Sequence, residues 1–262
     1  MLSKFIHEIR EIYSFRHLLV NLIKSDIKLR YKNSFLGFLW HILNPLFYLG
    51  ILALVFSQII RIQMENYILF LFAGLVSWRM IQQTSIIATH SIVNNQELIK
   101  KIYTPKLIFP LATVISQYID HLTLSLILFI FLFILKGKIS FVLFLSPVVI
   151  ILIFIFSLGL SLFFATSYVY VKDTPHIIAI GFQALFFLTP ILYPLSVLSP
   201  KLEKFFKINP LYYFVEYFRY PFYYAKMPPL EQTCIVCGLS LITFGLGIYI
   251  FLRKKESFIF KF

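Results

Sequence analysis

The sequence predicts an all-α membrane protein with six transmembrane helices. Residues 139–171 form a run of 33 residues without a charged side chain, and runs of similar length recur along the chain. The composition agrees, since 60% of the residues are hydrophobic and the mean hydropathy is +0.85. A bilayer core about 30 Å thick requires about 20 apolar residues of helix, because no water is there to satisfy the backbone. We therefore expect no soluble domain with its own core.

Six segments are predicted to lie in the membrane. They are residues 33–60, 66–90, 107–135, 139–171, 176–193 and 232–252. The second segment is interrupted only by Arg79 and the third only by Asp120, whereas the connections between segments carry clusters of basic residues.

Residues 1–32 carry seven Lys or Arg and so lack the uninterrupted apolar core of a signal peptide. Apolar residues such as Ile6, Ile9 and Ile12 follow helical spacing, opposite polar residues such as Glu8. The pattern predicts amphipathic helices that lie in the membrane surface with the apolar face toward lipid. Packing on a soluble partner would produce the same pattern and stays open as the alternative.

The distribution of Lys and Arg predicts the orientation, since these residues are retained in the cytoplasm when they lie near span ends. With six segments and the N-terminus inside, 15 Lys or Arg fall on the inner side and eight on the outer side. Both termini are therefore expected in the cytoplasm. The net charge of +13 is then explained by orientation. Because it is not gathered on one soluble face, we expect no nucleic-acid partner.

The fifth segment departs from a simple span because four prolines divide it: Pro175, Pro190, Pro194 and Pro200. Only residues 176–189 form an uninterrupted helix candidate, which is short for a full crossing. We predict a break near Pro190, followed by a re-entrant outer gate over residues 194–231. Irregular backbone at membrane depth is tolerated where protein buries it or where it borders a watery cavity. The break therefore favours transport over a purely structural role.

Phe or Tyr occupies eleven of the twenty positions from 205 to 224. An aromatic belt at the level of the lipid headgroups would explain these residues without any function. Alternatively, the rings border an exit for a large amphipathic ligand such as a sugar chain. The sequence leaves both interpretations open.

The connection between the second and third segments predicts a two-turn helix over residues 97–103. Glu97 would lie in its positive first turn, Lys100 and Lys101 in its negative last turn, and Pro105 would end it. The apolar residues would share one face, directed away from the chain's own core: Leu98, Ile99, Ile102 and Tyr103. A helix this short suits insertion into the groove of a partner.

Five motifs follow one another along nearly the whole chain. They are RYKNSFLGFLW at 30–40, NP at 44–45, LIKKIYTPK at 98–106, PILYP at 190–194 and NPL at 209–211. In these motifs and their order the chain resembles the permease subunits of ABC-2 type polysaccharide exporters. The Wzm-type O-antigen permeases and the TagG-type teichoic acid permeases are the members it resembles most.

The resemblance implies a homodimer of six-helix subunits joined to two copies of a cytoplasmic nucleotide-binding ATPase. Such an assembly moves a lipid-linked polysaccharide outward across the bacterial inner membrane. O-antigen is the first expectation for the polymer, with teichoic acid or capsule polysaccharide as the alternative. ATP and Mg²⁺ would bind to the partner subunit, so this chain would need no cofactor.

The same resemblance implies roles for particular residues. The interface helix would use Phe5, Ile6, Ile9, Arg10 and Ile12, and an elbow would follow at Arg30, Tyr31 and Lys32. The ATPase-coupling helix would use Glu97, Leu98, Ile99, Lys100, Lys101, Ile102 and Tyr103. The channel candidates are Phe38, Trp40, Phe47, Tyr48, Phe182, Phe186 and Phe187, each with packing or lipid contact as the alternative. The outer gate would include Pro190, Tyr193, Pro194, Asn209 and Pro210.

The residues themselves favour an energy source outside the chain, because no Gly-x-x-x-x-Gly-Lys-Ser/Thr phosphate loop is present. An ion-driven carrier usually has several ionisable groups at the membrane midplane, and here only Arg79 and Asp120 lie within the spans. We expect these two to form a structural ion pair, with a proton relay as the alternative.

The acids are scattered without an Asp-x-Asp pair, and the histidines show no metal spacing. Cys234 and Cys237 lie three residues apart on one face of the last span, where packing in a helix interface is favoured over a redox or zinc site. We therefore expect neither catalytic residues nor a metal site.

Overall fold

The computed structural model describes residues 2–32, 37, 39–56, 64–135 and 137–261. Within these ranges the chain is helical and contains no β-strand, which confirms the predicted all-α class. Phe38 and parts of the first predicted segment lie outside the described residues.

The helices follow one another in this order. Two helices come first, α1 (Leu2–Ser14) and α2 (Arg16–Tyr31), followed by α3 (Leu39–Leu54) and α4 (Tyr67–Thr89). A 3₁₀ turn (Val93–Asn95) leads into α5 (Gln96–Lys101), then come α6 (Ile108–Ile134), a 3₁₀ turn (Phe141–Leu145), α7 (Ser146–Tyr170) and α8 (Thr174–Phe187). After a 3₁₀ turn (Leu195–Val197) the chain forms α9 (Pro200–Ile208), α10 (Pro210–Arg219), a π-helical turn (Tyr220–Tyr224), α11 (Leu230–Lys254) and a last 3₁₀ stretch (Lys255–Phe260).

Three helical stretches in the described ranges are long and apolar enough to cross a membrane: Ile108–Ile134, Phe141–Tyr170 and Leu230–Phe260. The chain is therefore a membrane protein. Helices α3 and α8 are apolar but have only 16 and 14 residues, and α4 is long but carries Arg79 and two glutamines. The six-helix topology stays a prediction.

Contacts between distant parts of the chain define two ends of the molecule. At one end Glu8 pairs with Lys255, and the Lys106 ammonium donates to the Lys255 carbonyl oxygen at 2.7 Å. At the opposite end Lys138 pairs with Glu65 at 3.2 Å. Helices α4, α6, α7 and α11 each run between these ends, because their flanking residues lie at one end or the other. The N-terminal helix and the C-terminal stretch therefore share an end.

Helix α4 is the central element and contacts α3, α6, α7, α8 and α10. Of its 23 residues, 17 are buried. A helix that is apolar on most sides is expected to be surrounded by other helices. Its few half-exposed side chains, among them Arg79, Gln82 and Gln83, therefore mark the one side where α4 borders open space.

Helices α7 and α11 approach each other closely at two glycines. A Cβ atom added to Gly247 would lie 2.2 Å from the carbonyl oxygen of Gly159, and one added to Gly159 would lie 2.5 Å from the backbone of Thr243. The Ser240 hydroxyl donates across the same interface to the Leu152 carbonyl oxygen at 3.0 Å. Small residues that admit backbone contact are the usual basis of helix association in membranes, where the hydrophobic effect does not drive it.

Helix α2 packs along α6 through polar side chains, a contact that the sequence did not predict. Asp26 contacts Ser116, and Arg30, one turn later on α2, contacts Asp120, one turn later on α6. The residue numbers increase in the same direction along both helices, so α2 runs parallel to α6, with polar side chains in the contact. The register of α2 along α6 is a tertiary feature that the helical period does not report. The position of α1 and α2 in the membrane surface stays a prediction.

We predict that Gly247→Ala destabilises the protein by about 1–3 kcal/mol or more, because the added methyl group meets backbone atoms that have no rotamer to change. The measurement is the midpoint of thermal unfolding in detergent. Gly245→Ala is the matched control, since nothing lies within 4 Å of its added Cβ. Equal stability of the two variants would contradict the close approach.

Candidate functional site

A cleft of about 670 Å³ lies between α3, α4 and α8. Its lining mixes aromatic and apolar side chains with polar ones, and the polar members are Asn44, Tyr48, Arg79, Gln82, Gln83 and Gln183. Concave sites with an apolar lining and a few convergent polar groups are the usual form of ligand sites in proteins. Helices α3 and α8 belong to the two segments that the resemblance assigned to a channel.

The predicted channel aromatics divide into three groups. Tyr48, Phe186 and Phe187 line the cleft. Phe182 is buried and packs edge-on against Trp78 at 6.0 Å between ring centroids, so it is a packing residue in this structure. Trp40 and Phe47 are exposed on α3 but are not part of the cleft lining. Phe38 lies outside the described residues.

Arg79 lies in this cleft and does not pair with Asp120, so the predicted ion pair is wrong. Its guanidinium instead donates from Nε and Nη2 to the side-chain oxygen of Gln83, both at 3.3 Å. The sequence argument compared depths along two helices, and depth does not report which helix faces carry the two side chains.

Asp120 pairs with Arg30, a residue that the resemblance placed in an elbow. Asp120 is 2% exposed, and the Arg30 guanidinium also contacts Asp26 and donates to the Ser116 hydroxyl at 2.6 Å. With its amide oxygen turned to the guanidinium, Gln117 accepts two more hydrogen bonds from Arg30 at 2.7 and 2.9 Å. Arg30 therefore holds α2 against α6. The side chain of Tyr31 lies outside the described residues, and Lys32 is exposed.

Helix α8 ends at Phe187, close to the predicted break, and the six carbonyl groups of residues 187–192 all accept hydrogen bonds. The Phe187 oxygen accepts from the Tyr193 hydroxyl at 3.1 Å, and the Leu188 oxygen from the Asn209 amide at 3.1 Å. The Thr189 oxygen accepts from the Ile191 N–H at 2.7 Å. The remaining three oxygens, of Pro190, Ile191 and Leu192, accept from side chains of other helices.

Arg219 supplies two of these bonds, donating to the Pro190 oxygen at 2.9 Å and to the Ile191 oxygen at 2.8 Å. Its guanidinium lies 3.6 Å from the centroid of the Phe70 ring and pairs with Glu216. Gly74 makes room for it, since an added Cβ would lie 2.6 Å from Nη2. The sequence argument missed this role and counted Arg219 among the cations of the outer side. A basic residue flanked on both sides by aromatic residues was the available signal.

Tyr67, at the start of α4, supplies the last of these bonds by donating to the Leu192 oxygen at 2.7 Å. The predicted gate residues surround the same segment. Asn209 caps α10 by accepting from the Leu211 N–H at 3.0 Å, and Pro210 is the first residue of that helix. Pro194 lines a second, smaller cleft of about 320 Å³ together with Glu65 and Lys226.

The aromatic stretch at 205–224 is mostly interior. Its buried members are Phe206, Tyr212, Phe214, Tyr217, Phe218 and Phe222. Phe214 packs on Phe156 of α7 at 4.1 Å between ring centroids. These six rings therefore neither form a lipid belt nor border an exit, whereas Phe205 is exposed and Tyr213, Tyr220, Tyr223 and Tyr224 are half-buried.

The predicted helix at 97–103 is shorter than expected and uses its apolar residues differently. Helix α5 ends at Lys101, and Ile102 is already extended. Ile99 is buried in the chain's own core and Leu98 packs against it, which contradicts the single outward face. Ile102 and Tyr103 are exposed. Glu97 and Lys101 pair at 3.5 Å on the exposed side of the helix.

Helix α1 lies beside this connection. The Tyr103 hydroxyl donates to Glu11, and this hydrogen bond raises the pKa of the Tyr103 phenol, so the phenol remains a donor. Ile6 and Ile9 are exposed, while Ile12 packs on the core. Arg10 is exposed, and the side chain of Phe5 is outside the described residues. The exposed residues of both elements, Ile6, Ile9, Ile102 and Tyr103, are called the α1–α5 surface below.

One group of side chains on α1 has the composition of a metal site. Ligand-type atoms of His7, Glu8 and Glu11 lie within 4.8 Å of one another. Both carboxylates have other partners, because Glu8 pairs with Lys255 and Glu11 accepts from Tyr103. Hydrogen bonding and charge pairing therefore account for this group.

Comparison with known proteins finds relatives over most of the chain. The sequence profile of the family described as "ABC-2 type transporter" matches residues 17–223. The chain is 29% identical over 256 residues to the O-antigen export system permease protein RfbA of Myxococcus xanthus. This alignment covers 97% of this chain and 98% of that protein. It is 30% identical over 243 residues to the protein of the same name from Klebsiella pneumoniae, covering 92% and 93%.

We predict that Arg30→Ala lowers the thermal unfolding midpoint strongly, because loss of one partner of a buried pair costs about 3–5 kcal/mol. Adding Asp120→Ala should restore part of this loss, since the buried carboxylate is then gone. Asp120→Ala should not rescue Arg79→Ala. Rescue of Arg79→Ala and not of Arg30→Ala would overturn the pairing described above.

We predict that Arg219→Met destabilises the protein by about 3 kcal/mol or more, because two hydrogen bonds from a charged donor are lost and each is worth about 1.5–3 kcal/mol. Arg219→Lys should fall between wild type and Arg219→Met, since an ammonium keeps the charge but lacks the planar fork. Arg253→Met, at an exposed position, serves as the control in the same unfolding measurement. Wild-type stability of Arg219→Met would contradict the assigned role.

Proposed function

The chain belongs to the ABC-2 type transporter family, and from this premise we propose that it is the permease subunit of an ATP-driven exporter. Its substrate is a lipid-linked polysaccharide of the O-antigen kind, moved outward across the bacterial inner membrane. The proposal is supported by the relatives, which are permeases of O-antigen export systems and match the chain over nearly its full length. The single structural observation that carries it is the polar and aromatic cleft beside a broken helix.

The cleft suits a sugar chain because it offers both kinds of contact that sugars make. Rings such as Tyr48 and Phe187 can stack on the C–H faces of a sugar. The amide side chains of Asn44 and Gln183 can donate to and accept from hydroxyl groups. A single subunit leaves this cleft open to one side.

Two copies of the chain would close the cleft into a channel. The neighbouring faces of α3 and α8 expose large apolar residues, Phe47, Ile51, Ile177 and Ile180. Exposed apolar residues this close to a polar cleft fit a second protein surface as well as lipid. A homodimer in which α3 and α8 of both copies face each other would place two clefts around one pathway. The residues after α8 and those of α9 and α10 would form its outer gate.

The α1–α5 surface is the proposed docking site for the ATPase. It lies at the end of the molecule that also holds the C-terminal stretch, and this end is cytoplasmic in the proposed orientation. Exposed Ile6, Ile9 and Ile102 provide the apolar contact that a groove on the partner would bury. Movement of this surface on ATP binding would reach α6 through Arg30 and Asp120.

Two alternative functions differ from the proposed one in the polymer that is moved or in the energy source. An exporter of teichoic acid or capsule polysaccharide would share every feature described above and differ only in the polymer. An ion-coupled carrier would use Arg79 or Asp120 as a relay; the pairing of Asp120 with Arg30 speaks against this, because a relay residue must exchange its partner during transport.

The test is transport of a lipid-linked polysaccharide in inside-out vesicles that contain the chain and the ATPase with which it copurifies. ATP should support transport, while proton or sodium gradients alone should not. Transport without the ATPase under an ionic gradient would refute the proposal.

Ile102→Asp tests the docking surface within the same experiment. A charge on a buried apolar contact should weaken copurification of the ATPase and lower transport at least tenfold. Ile139→Asp is the matched control, because Ile139 has similar exposure, 58% against 51%, and lies beside Lys138 at the opposite end. Full copurification and transport with Ile102→Asp would rule out this docking site.

A further inference from the structure

Arg79 is a cation in the middle of helix α4, and no acidic residue of the described chain pairs with it. It is the thirteenth of the 23 residues of α4. At about 1.5 Å per residue it lies roughly 15 Å or more from either end of the helix. All eleven acidic residues belong to the described part of the chain, and none of them forms an ion pair with Arg79 there. A charge at such depth is costly and usually marks a ligand pathway or a partner.

The side-chain oxygens of the two glutamines next to Arg79 already accept hydrogen bonds within the chain. The side-chain oxygen of Gln83 accepts from the guanidinium at 3.3 Å, and that of Gln82 accepts from the indole N–H of Trp78 at 2.8 Å. Guanidinium and indole nitrogen are donors only, so each bond fixes which amide atom is the oxygen. The NH₂ groups of both glutamines form no hydrogen bond with any described residue.

This side of the cleft therefore presents a positive charge and two amide NH₂ groups, all of which are hydrogen-bond donors. A neutral sugar needs both donors and acceptors, because each hydroxyl group is both. A surface of donors around a cation instead matches an oxyanion, and the planar guanidinium matches phosphate or carboxylate geometry. We propose that Arg79, Gln82 and Gln83 form a binding subsite for an anionic group of the transported molecule.

The proposal rests on the export function proposed above and specifies its substrate further. The anionic group is either a phosphate of the linkage between lipid and sugar or a carboxylate of the sugar units, since both present oxyanions to a guanidinium. In the apolar part of the cleft, Phe186 would contact the neighbouring part of the same molecule; its ring packs against the buried Trp78 at 5.7 Å between centroids. The bound anion would supply the charge partner that the chain does not provide.

The test uses the full chain in lipid nanodiscs with Trp40→Phe, which leaves Trp78 as the only tryptophan and as a fluorescence reporter beside the subsite. Four probes are titrated: farnesyl diphosphate, farnesol, inorganic pyrophosphate and an oligomer of glucuronic acid. Farnesyl diphosphate or the glucuronic acid oligomer should bind at least tenfold more tightly than farnesol. Binding of the two phosphate probes identifies a phosphate subsite, and binding of the oligomer alone identifies a carboxylate subsite.

Three variants decide whether the subsite is responsible. Arg79→Gln should weaken binding of the anionic probe at least tenfold, and Arg79→Lys should weaken it less. Gln83→Glu should abolish binding while preserving the fold, because it places a carboxylate beside Arg79 that competes with the probe. Arg253→Gln, which removes an exposed cation from α11, should bind as wild type does.

Equal affinity for farnesol and farnesyl diphosphate with no binding of the oligomer would overturn the proposal, as would unchanged binding by Arg79→Gln and Gln83→Glu. The outcome is separable from that of the export function. Normal ATP-driven transport by Arg79→Gln would reject the subsite and leave the exporter intact, whereas absence of transport by the wild-type chain with its ATPase would reject the exporter itself.

Discussion

The break after α8 depends on one constraint: a helix that stops inside the protein leaves carbonyl groups that need hydrogen-bond donors, since water is scarce there. An unsatisfied buried polar group costs about 1–3 kcal/mol in proteins. Three side chains from two distant helices meet this requirement: Tyr67 of α4, Asn209 at the start of α10 and Arg219 at its end. The proline at 190 prevents the helix from continuing, but only the assembled fold makes the break stable.

This arrangement connects the wall of the cleft with the segment beyond it. Phe186 and Phe187 line the cleft in the last turn of α8, and the carbonyl groups that follow them are held by α10. Helix α10 is in turn packed on α4 and α7. A movement of α8 that widened the cleft would either carry α10 with it or exchange the partners of these carbonyl groups. Opening is therefore expected to be a concerted change of α8 and α10.

The sequence was sufficient to predict the helices but not the contacts between them. Charge-free runs and Pro190 marked the apolar helices and the break, because helix length and the missing proline N–H act locally. The partner of Asp120 could not be predicted, since Arg30 reaches it only through the register of α2 along α6. The burial of Ile99 could not be predicted for a related reason. On a six-residue helix the spacing of apolar residues does not distinguish an outward face from an inward one.

Three arginines show how structural and functional charges can be told apart inside this protein. Arg30 lies among Asp26, Asp120 and Ser116, and Arg219 among two carbonyl groups, Glu216 and the Phe70 ring. Both are neutralised by a carboxylate of the chain, so neither requires a ligand. Arg79 has only a neutral amide at 3.3 Å, although it lines the cleft between α3, α4 and α8. A buried charge without a counterion is unfavourable. The described part of the chain supplies a counterion to Arg30 and to Arg219 but not to Arg79. Arg79 lies on the proposed pathway, where an anionic group of the transported molecule would supply the missing counterion.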